Sequence, residues 1–162
     1  MLSKLMPLSR IVMIMAVAAL VLGIVFIYQG VSKADMIKDQ MLQEKVPASI
    51  GGGNATGYID SAAKAQAAAD TIKKHRQSIA LTYTDLLALS GGKYDPTNPK
   101  DLNYTQALNM ENYLYMGVFA LGFTQAVTAI GVFMILVGIA LMAVWAAIRK
   151  KKKEAEVKVT ST

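Results

Sequence analysis

The sequence predicts an all-α membrane protein: two transmembrane helices extended into an antiparallel stalk, with a small extracytoplasmic helical domain inserted between them. Three observations predict it. Charge is absent from two long stretches, 22 residues between Arg10 and Lys33 and 37 residues between Glu111 and Arg149. Basic residues flank both stretches on the side facing the chain ends. The segment between the stretches carries apolar residues at helical intervals, broken by clusters of glycine, proline and aspartate.

The first element is a basic start, residues 1–10, assigned to the cytoplasm with Arg10 as its interface anchor. Residues 11–30 form the first span, since a bilayer crossing takes roughly 20 apolar residues. A secretory signal would also open basic and continue apolar, and Ser32-Lys33-Ala34 offers a cleavage pattern. Signal cores run about 7–15 residues, and this one is longer, so the helix is expected to be retained.

Past Gly30 the stretch VSKADMIKDQMLQEKV keeps Val31, Ala34, Ile37, Met41 and Leu42 at helical spacing. The first helix is therefore expected to continue to about Glu44 and to stop before Pro47. ASIGGGNATG reads as a flexible loop. Asp60 or Ser61 caps a helix over about Ala62–Leu81, whose alanines allow a neighbour to approach closely. Thr82-Tyr83-Thr84-Asp85 resembles a capping box and opens a short helix ending at Gly91-Gly92. YDPTNPKD reads as a turn-rich loop, after which Asn103 is expected to cap the last helix.

That helix runs into the second span. The 37 uncharged residues would make a helix about 55 Å long, against roughly 30 Å of hydrocarbon. Counting back from Arg149 puts the span at residues 128–148, with the extracytoplasmic segment at 31–127. Tyr113, Tyr115, Phe119 and Phe123 would then stand above the bilayer, and they are expected to bury against the extended first helix. Ala16, Gly23 and Gly30 recur every seven residues in one span, and Thr124, Gly131 and Gly138 in the other. Small residues in register let helix backbones approach inside lipid. The stripe suits a pairing of the two spans or a homodimer seam, and the short joining domain favours the pairing.

The net charge is +6. Between Gly30 and Tyr115 nine basic residues meet nine acidic ones, so the excess lies wholly in the flanks. A nucleic-acid role has no support in that distribution. Residues 149–162 form a basic tail in which Arg149, Lys150, Lys151, Lys152 and Lys153 act with Trp145 as the inner anchor. Lysine-rich flanks stay cytoplasmic, which places both termini on the cytoplasmic side of the cell membrane and the central segment outside. The lipid bilayer is one partner, and a membrane protein or a second copy is another.

Chemistry is sparse. The chain has no cysteine and a single histidine, His75, within Lys73-Lys74-His75-Arg76. That cluster is a candidate contact patch on the extracytoplasmic segment, and otherwise a solvated helix face. No serine or threonine is paired with a base and an orienting group, and no phosphate-binding motif is present. Neither span carries an ionisable residue, which argues against an ion or proton pathway. No catalytic, cofactor or metal residue is assigned, and the chain is expected not to be an enzyme.

The stretch AAADTIKKHRQSIALTYTDLL at Ala67–Leu87, with IKDQMLQEKV before it, resembles a set of two-span proteins of actinobacteria and Chloroflexi-like bacteria. They share an A-D-x-I-K-K-H helix, a T-Y-x-x-L element and a second span near the C-terminus. The resemblance implies a fold and a topology and no established activity. Some members carry a label as ring-opening dioxygenases. Such chemistry needs a set of metal ligands that one histidine cannot supply.

Overall fold

The computed structural model describes residues 2–52 and 54–160. Met1, Ser161 and Thr162 of the expected cytoplasmic ends, and Gly53 of the expected flexible loop, lie outside the described residues. Four α-helices follow in order: α1 (Leu2–Gln43), α2 (Ala62–Ile79), α3 (Tyr83–Leu89) and α4 (Pro99–Thr160), with a 3₁₀ turn at Ile50–Gly52. Among the described residues there is no strand beyond one isolated bridge between Pro47 and Tyr58. Helices α1 and α4 each contain a stretch long and apolar enough to cross a membrane. The chain divides into two compact units. Residues 1–32 and 124–162 form the terminal unit, and residues 33–123 the central unit.

In the terminal unit apolar side chains face outward around most of each helix. Ile11, Ile14, Val21 and Ile24 of α1 and Ile130, Phe133, Leu136 and Ile139 of α4 are all exposed. A helix apolar all round belongs in a large protein core or in lipid. The buried exceptions include Ala16, Gly23 and Gly30 on α1, with Thr124, Gly131 and Gly138 on α4.

The central unit is built from caps and alanines. Ser61 is the N-cap of α2, accepting from the Lys64 amide at 3.4 Å. Asp60 takes the neighbouring role of pairing with Lys64 Nζ at 2.8 Å. Along α2 the residues Ala65, Ala68, Ala69, Ile72 and Arg76 are buried, one stripe at spacings of three and four. With Ala48, Ile59 and Leu114 the apolar members of that stripe form the main core. A smaller cluster joins Ala80 and Leu86 to Tyr104.

Helix α3 begins at Thr82, whose side chain accepts from the Asp85 amide while the Asp85 carboxylate accepts from the Thr82 amide. It ends where the Gly92 amide donates to the Leu87 carbonyl at 2.7 Å. That closure needs Gly91 at φ 71°, a left-handed conformation that costs a side-chain-bearing residue roughly 1–2 kcal/mol. Thr82→Ala is expected to lose about 1 kcal/mol of local stability. Hydrogen exchange would show it as faster amide exchange confined to Tyr83–Leu89.

Several expectations change. Helix α2 ends at Ile79, with Ala80 as its C-cap in extended conformation, so Leu81 lies beyond it. Helix α4 starts at Pro99, four residues before the expected cap. Asn98 Oδ1 accepts from the Lys100 amide at 3.0 Å, and proline fits the first helical position because its missing N–H has no partner there. The loop after Pro47 is pinned at its base. The Ala48 amide donates to the Gly57 carbonyl at 2.8 Å and the Ile59 amide to the Val46 carbonyl at 3.0 Å.

The largest change concerns the aromatic residues of α4. Tyr113, Phe119 and Phe123 are 74%, 75% and 62% exposed, where burial was expected. Helical register explains it: the buried face holds Tyr104, Glu111, Leu114 and Leu121, and the three aromatics project from the opposite face. Only Tyr115, which hydrogen-bonds to Asp70, turns toward the core.

Candidate functional site

The central unit carries a buried charged triad. Arg76 is 7% exposed and Glu111 6% exposed. Arg76 Nε donates to Glu111 Oε2 at 2.8 Å, and Nη1 donates to the Tyr104 hydroxyl at 2.6 Å. The guanidinium carbon also lies 5.0 Å from the Tyr104 ring centre. The carboxylate of Glu111 holds the Arg76 guanidinium above its ordinary value, opposed by burial. A positive charge withdrawn from water persists because a carboxylate, a phenol and an aromatic face surround it.

This divides the basic cluster. Lys73, Lys74 and His75 are exposed, whereas Arg76 points inward. Arg76 is therefore removed from the expected contact patch, for a positional reason: it follows Ile72 by four residues and falls on the alanine stripe. The other three lie on α2's solvent side. His75 borders a shallow open groove of about 600 Å³, floored by Ile72, Ile79, Ala107 and Met110 and edged by Ile50, Asn103 and Gln106.

A second polar cluster fixes the start of α4. Asp101 is fully buried; it accepts from Ser90 Oγ at 2.5 Å and from the Asp95 amide at 2.9 Å. A carboxylate in the first turn of a helix also meets the positive end of the helix dipole. Asp95 accepts from the Thr97 amide and hydroxyl at 2.8 and 2.6 Å, and these bonds hold its carboxyl below the usual range. Both carboxylates organise the loop that leads into α4.

The third pairing is pH-sensitive. Tyr115 donates its hydroxyl to Asp70 Oδ1 at 2.7 Å, and Gln66 donates to the same oxygen at 3.0 Å. Hydrogen bonds from Tyr115 and Gln66 lower the Asp70 carboxyl below 3.8. The bond to Asp70 pushes the Tyr115 phenol up to about 12 from 10.0. Asp70 contributes stability that is present above pH 3.8 and lost as pH falls through its lower folded value. Tyr115 contributes stability that is present below pH 10.0 and lost as pH rises toward about 12. An ultraviolet titration is expected to show a tyrosinate step near pH 12 that Tyr115→Phe removes. Persistence of that step in the variant would exclude the assignment.

In the terminal unit the six small residues come together in pairs. A methyl group built on Gly131 would lie 2.7 Å from the Gly23 carbonyl oxygen, and one on Gly23 2.8 Å from that of Gly131. One on Gly138 would lie 3.1 Å from the Ala16 carbonyl oxygen, and one on Gly30 2.9 Å from that of Thr124. The pairs run in opposite order along the two helices, with every step of seven residues matched by a step of seven. The expected inner anchors sit further along α4. The Arg149 guanidinium carbon lies 4.9 Å from the Trp145 ring centre, and Arg149, Lys150, Lys151 and Lys153 are exposed while Lys152 is half-buried. Arg10 is exposed on α1.

Among the described residues no three His, Asp or Glu side chains converge on a point where a metal ion could sit. The features that sequence reasoning missed are the buried Arg76–Glu111 pair and the Asp101 cluster. Compared with known proteins, no family model matches the chain, and no curated protein or solved structure matches it.

Proposed function

We propose that the chain is a two-pass integral membrane protein with cytoplasmic termini, the central unit outside, and α1 and α4 paired as an antiparallel stalk. It acts as a non-enzymatic accessory protein whose central unit docks other membrane or envelope proteins, or a second copy. The observation that carries this is a contrast within the central unit. Its buried Arg76 and Glu111 are engaged with one another, while the large side chains of Tyr113, Met116, Phe119 and Phe123 lie exposed along one face of α4. Contiguous exposed apolar surface marks an interaction site. The membrane assignment is supported by the all-round apolar exposure of the terminal unit and by the lysine-rich flanks.

Two experiments test it. The chain lacks cysteine, so Ser49→Cys and Lys150→Cys report sidedness cleanly with a membrane-impermeant maleimide. Labelling of both from one side would defeat the topology. Affinity purification from native membranes in mild detergent tests docking, and recovery of a monomer alone would defeat it.

The groove beside His75 favours a second function, a sensing module that holds a small apolar or anionic ligand. Mass spectrometry of molecules retained by the purified chain separates the two, because a stoichiometric small molecule supports sensing.

A further inference from the structure

We infer that the aromatic face of α4 in the central unit is the seat of a second copy of this chain, packed α4 against α4 about a two-fold axis normal to the membrane. The inference rests on the membrane topology proposed above, because two copies inserted the same way can meet only with equivalent helices parallel. Tyr113, Met116 and Phe123 are 74%, 65% and 62% exposed. Together with Ala120 they follow one another at spacings of three, four and three, the seam of a parallel helix pair. Phe119, 75% exposed, flanks the seam, its ring stacked on that of Phe123 with centroids 6.5 Å apart. The small Ala120 at the centre lets the backbones approach.

Lipid does not account for the outer end of this face. Arg149 lies 36 positions after Tyr113, about 54 Å of helix at 1.5 Å per residue, whereas a bilayer with its headgroups is about 40–45 Å thick. Tyr113 and Met116 therefore stand in water unless protein covers them.

Charge selects the occupant. A parallel two-fold axis sets each residue beside its own duplicate, so any charge near the axis meets a like charge. From Asn112 to Ile148 α4 carries none, whereas the exposed part of α1 in the same unit carries Lys33, Asp35 and Asp39. A neutral face offers nothing to a basic or acidic partner and is complementary to itself. The area is adequate. Three aromatics and a methionine at these exposures present roughly 500 Å² per copy, about 1,000 Å² per pair, where specific interfaces begin. The glycine stripe cannot serve instead, since Gly23 and Gly131 already face each other within one chain.

Single-cysteine variants in native membranes test the inference. Oxidation is expected to yield disulfide-linked dimers for Met116→Cys and Ala120→Cys, and none for Leu89→Cys, which lies exposed on α3. In nanodiscs Met116→Lys is expected to shift particle mass from two copies to one while leaving the helical circular-dichroism spectrum unchanged. If Met116→Cys reacts with an impermeant maleimide from outside yet forms no dimer, the pairing is wrong and the topology stands. If it is shielded from the reagent without dimerising, lipid or another protein covers the face, and the pairing is again wrong. Reaction only from the cytoplasmic side overturns the topology, and the pairing with it.

Discussion

Arg76→Ala is expected to destabilise the central unit by about 3–5 kcal/mol, the loss that follows when a buried ion pair keeps only one partner. Glu111, 6% exposed, would be left with a carboxylate it can neither hydrate nor pair. The hydroxyl of Tyr104, whose residue is 1% exposed, would lose its donor as well. Arg76→Lys is expected to recover only part of the loss. An ammonium cannot reach Glu111 and Tyr104 with the fixed fork of a guanidinium. The triple variant Arg76→Met, Glu111→Leu, Tyr104→Phe is expected to return close to the parent, because removing all three polar groups leaves none unsatisfied. Urea unfolding of the full chain in mild detergent, read by hydrogen exchange in α2, measures each step. A single substitution costing under about 1 kcal/mol would mean that the pair behaves as a solvated surface contact.

The triad also shows where sequence reasoning stops. The basic run Lys73-Lys74-His75-Arg76 reads as one solvated patch because charge is easier to see than register. The informative signal was periodicity. Ala65, Ala68, Ala69 and Ile72 define a stripe, and Arg76 is its next member. On α4 Glu111 occupies the corresponding place between Tyr104 and Leu114, both buried. One opposite charge on each of two apolar stripes was enough to suggest that they meet. What no spacing could supply was the pairing of those stripes across 35 residues of chain.

Register likewise corrects the aromatic residues. Size and apolarity argue for burial, but on a helix whose inward face is already filled by Tyr104, Leu114 and Leu121 the remaining aromatics have nowhere inward to go. Their exposure leaves an apolar face on the central unit where the size of the side chains alone argued for core. Elements with local causes were legible: the Thr82–Asp85 capping box and the stop at Gly91-Gly92 depend only on neighbours in sequence. Asn98-Pro99 was legible in principle, since a capping asparagine followed by proline is a helix start. The bridge between Pro47 and Tyr58 has no signature in composition, because it depends on how the loop closes.

Gly131→Val is expected to separate α1 from α4 in the terminal unit, at a cost of about 1–3 kcal/mol from overpacking. The reason is what the new atoms would meet. A Cβ on Gly131 lies 2.7 Å from the Gly23 carbonyl oxygen and 2.8 Å from the Ile27 amide nitrogen. Backbone cannot move aside without shifting the helix. Gly117→Ala provides the contrast, since its Cβ would meet only the Sδ and Cε end of the Met41 side chain, which three rotatable bonds can redirect. Gly122→Ala meets nothing within 4 Å and is expected to stabilise the helix by about 0.5–1 kcal/mol, the ordinary gain of alanine over glycine. Measured side by side in detergent and in bilayers, these glycines should therefore rank by the rigidity of the neighbour rather than by hydrophobicity. Equal effects at Gly131 and Gly122 would show that helix propensity alone sets the response, and that the seven-residue stripe does not hold the two helices together. In lipid, where apolar surface gains nothing by leaving the solvent, close backbone approach is the main attraction left to such a pair. A few added carbons at Gly131 remove that attraction while leaving every apolar side chain in place.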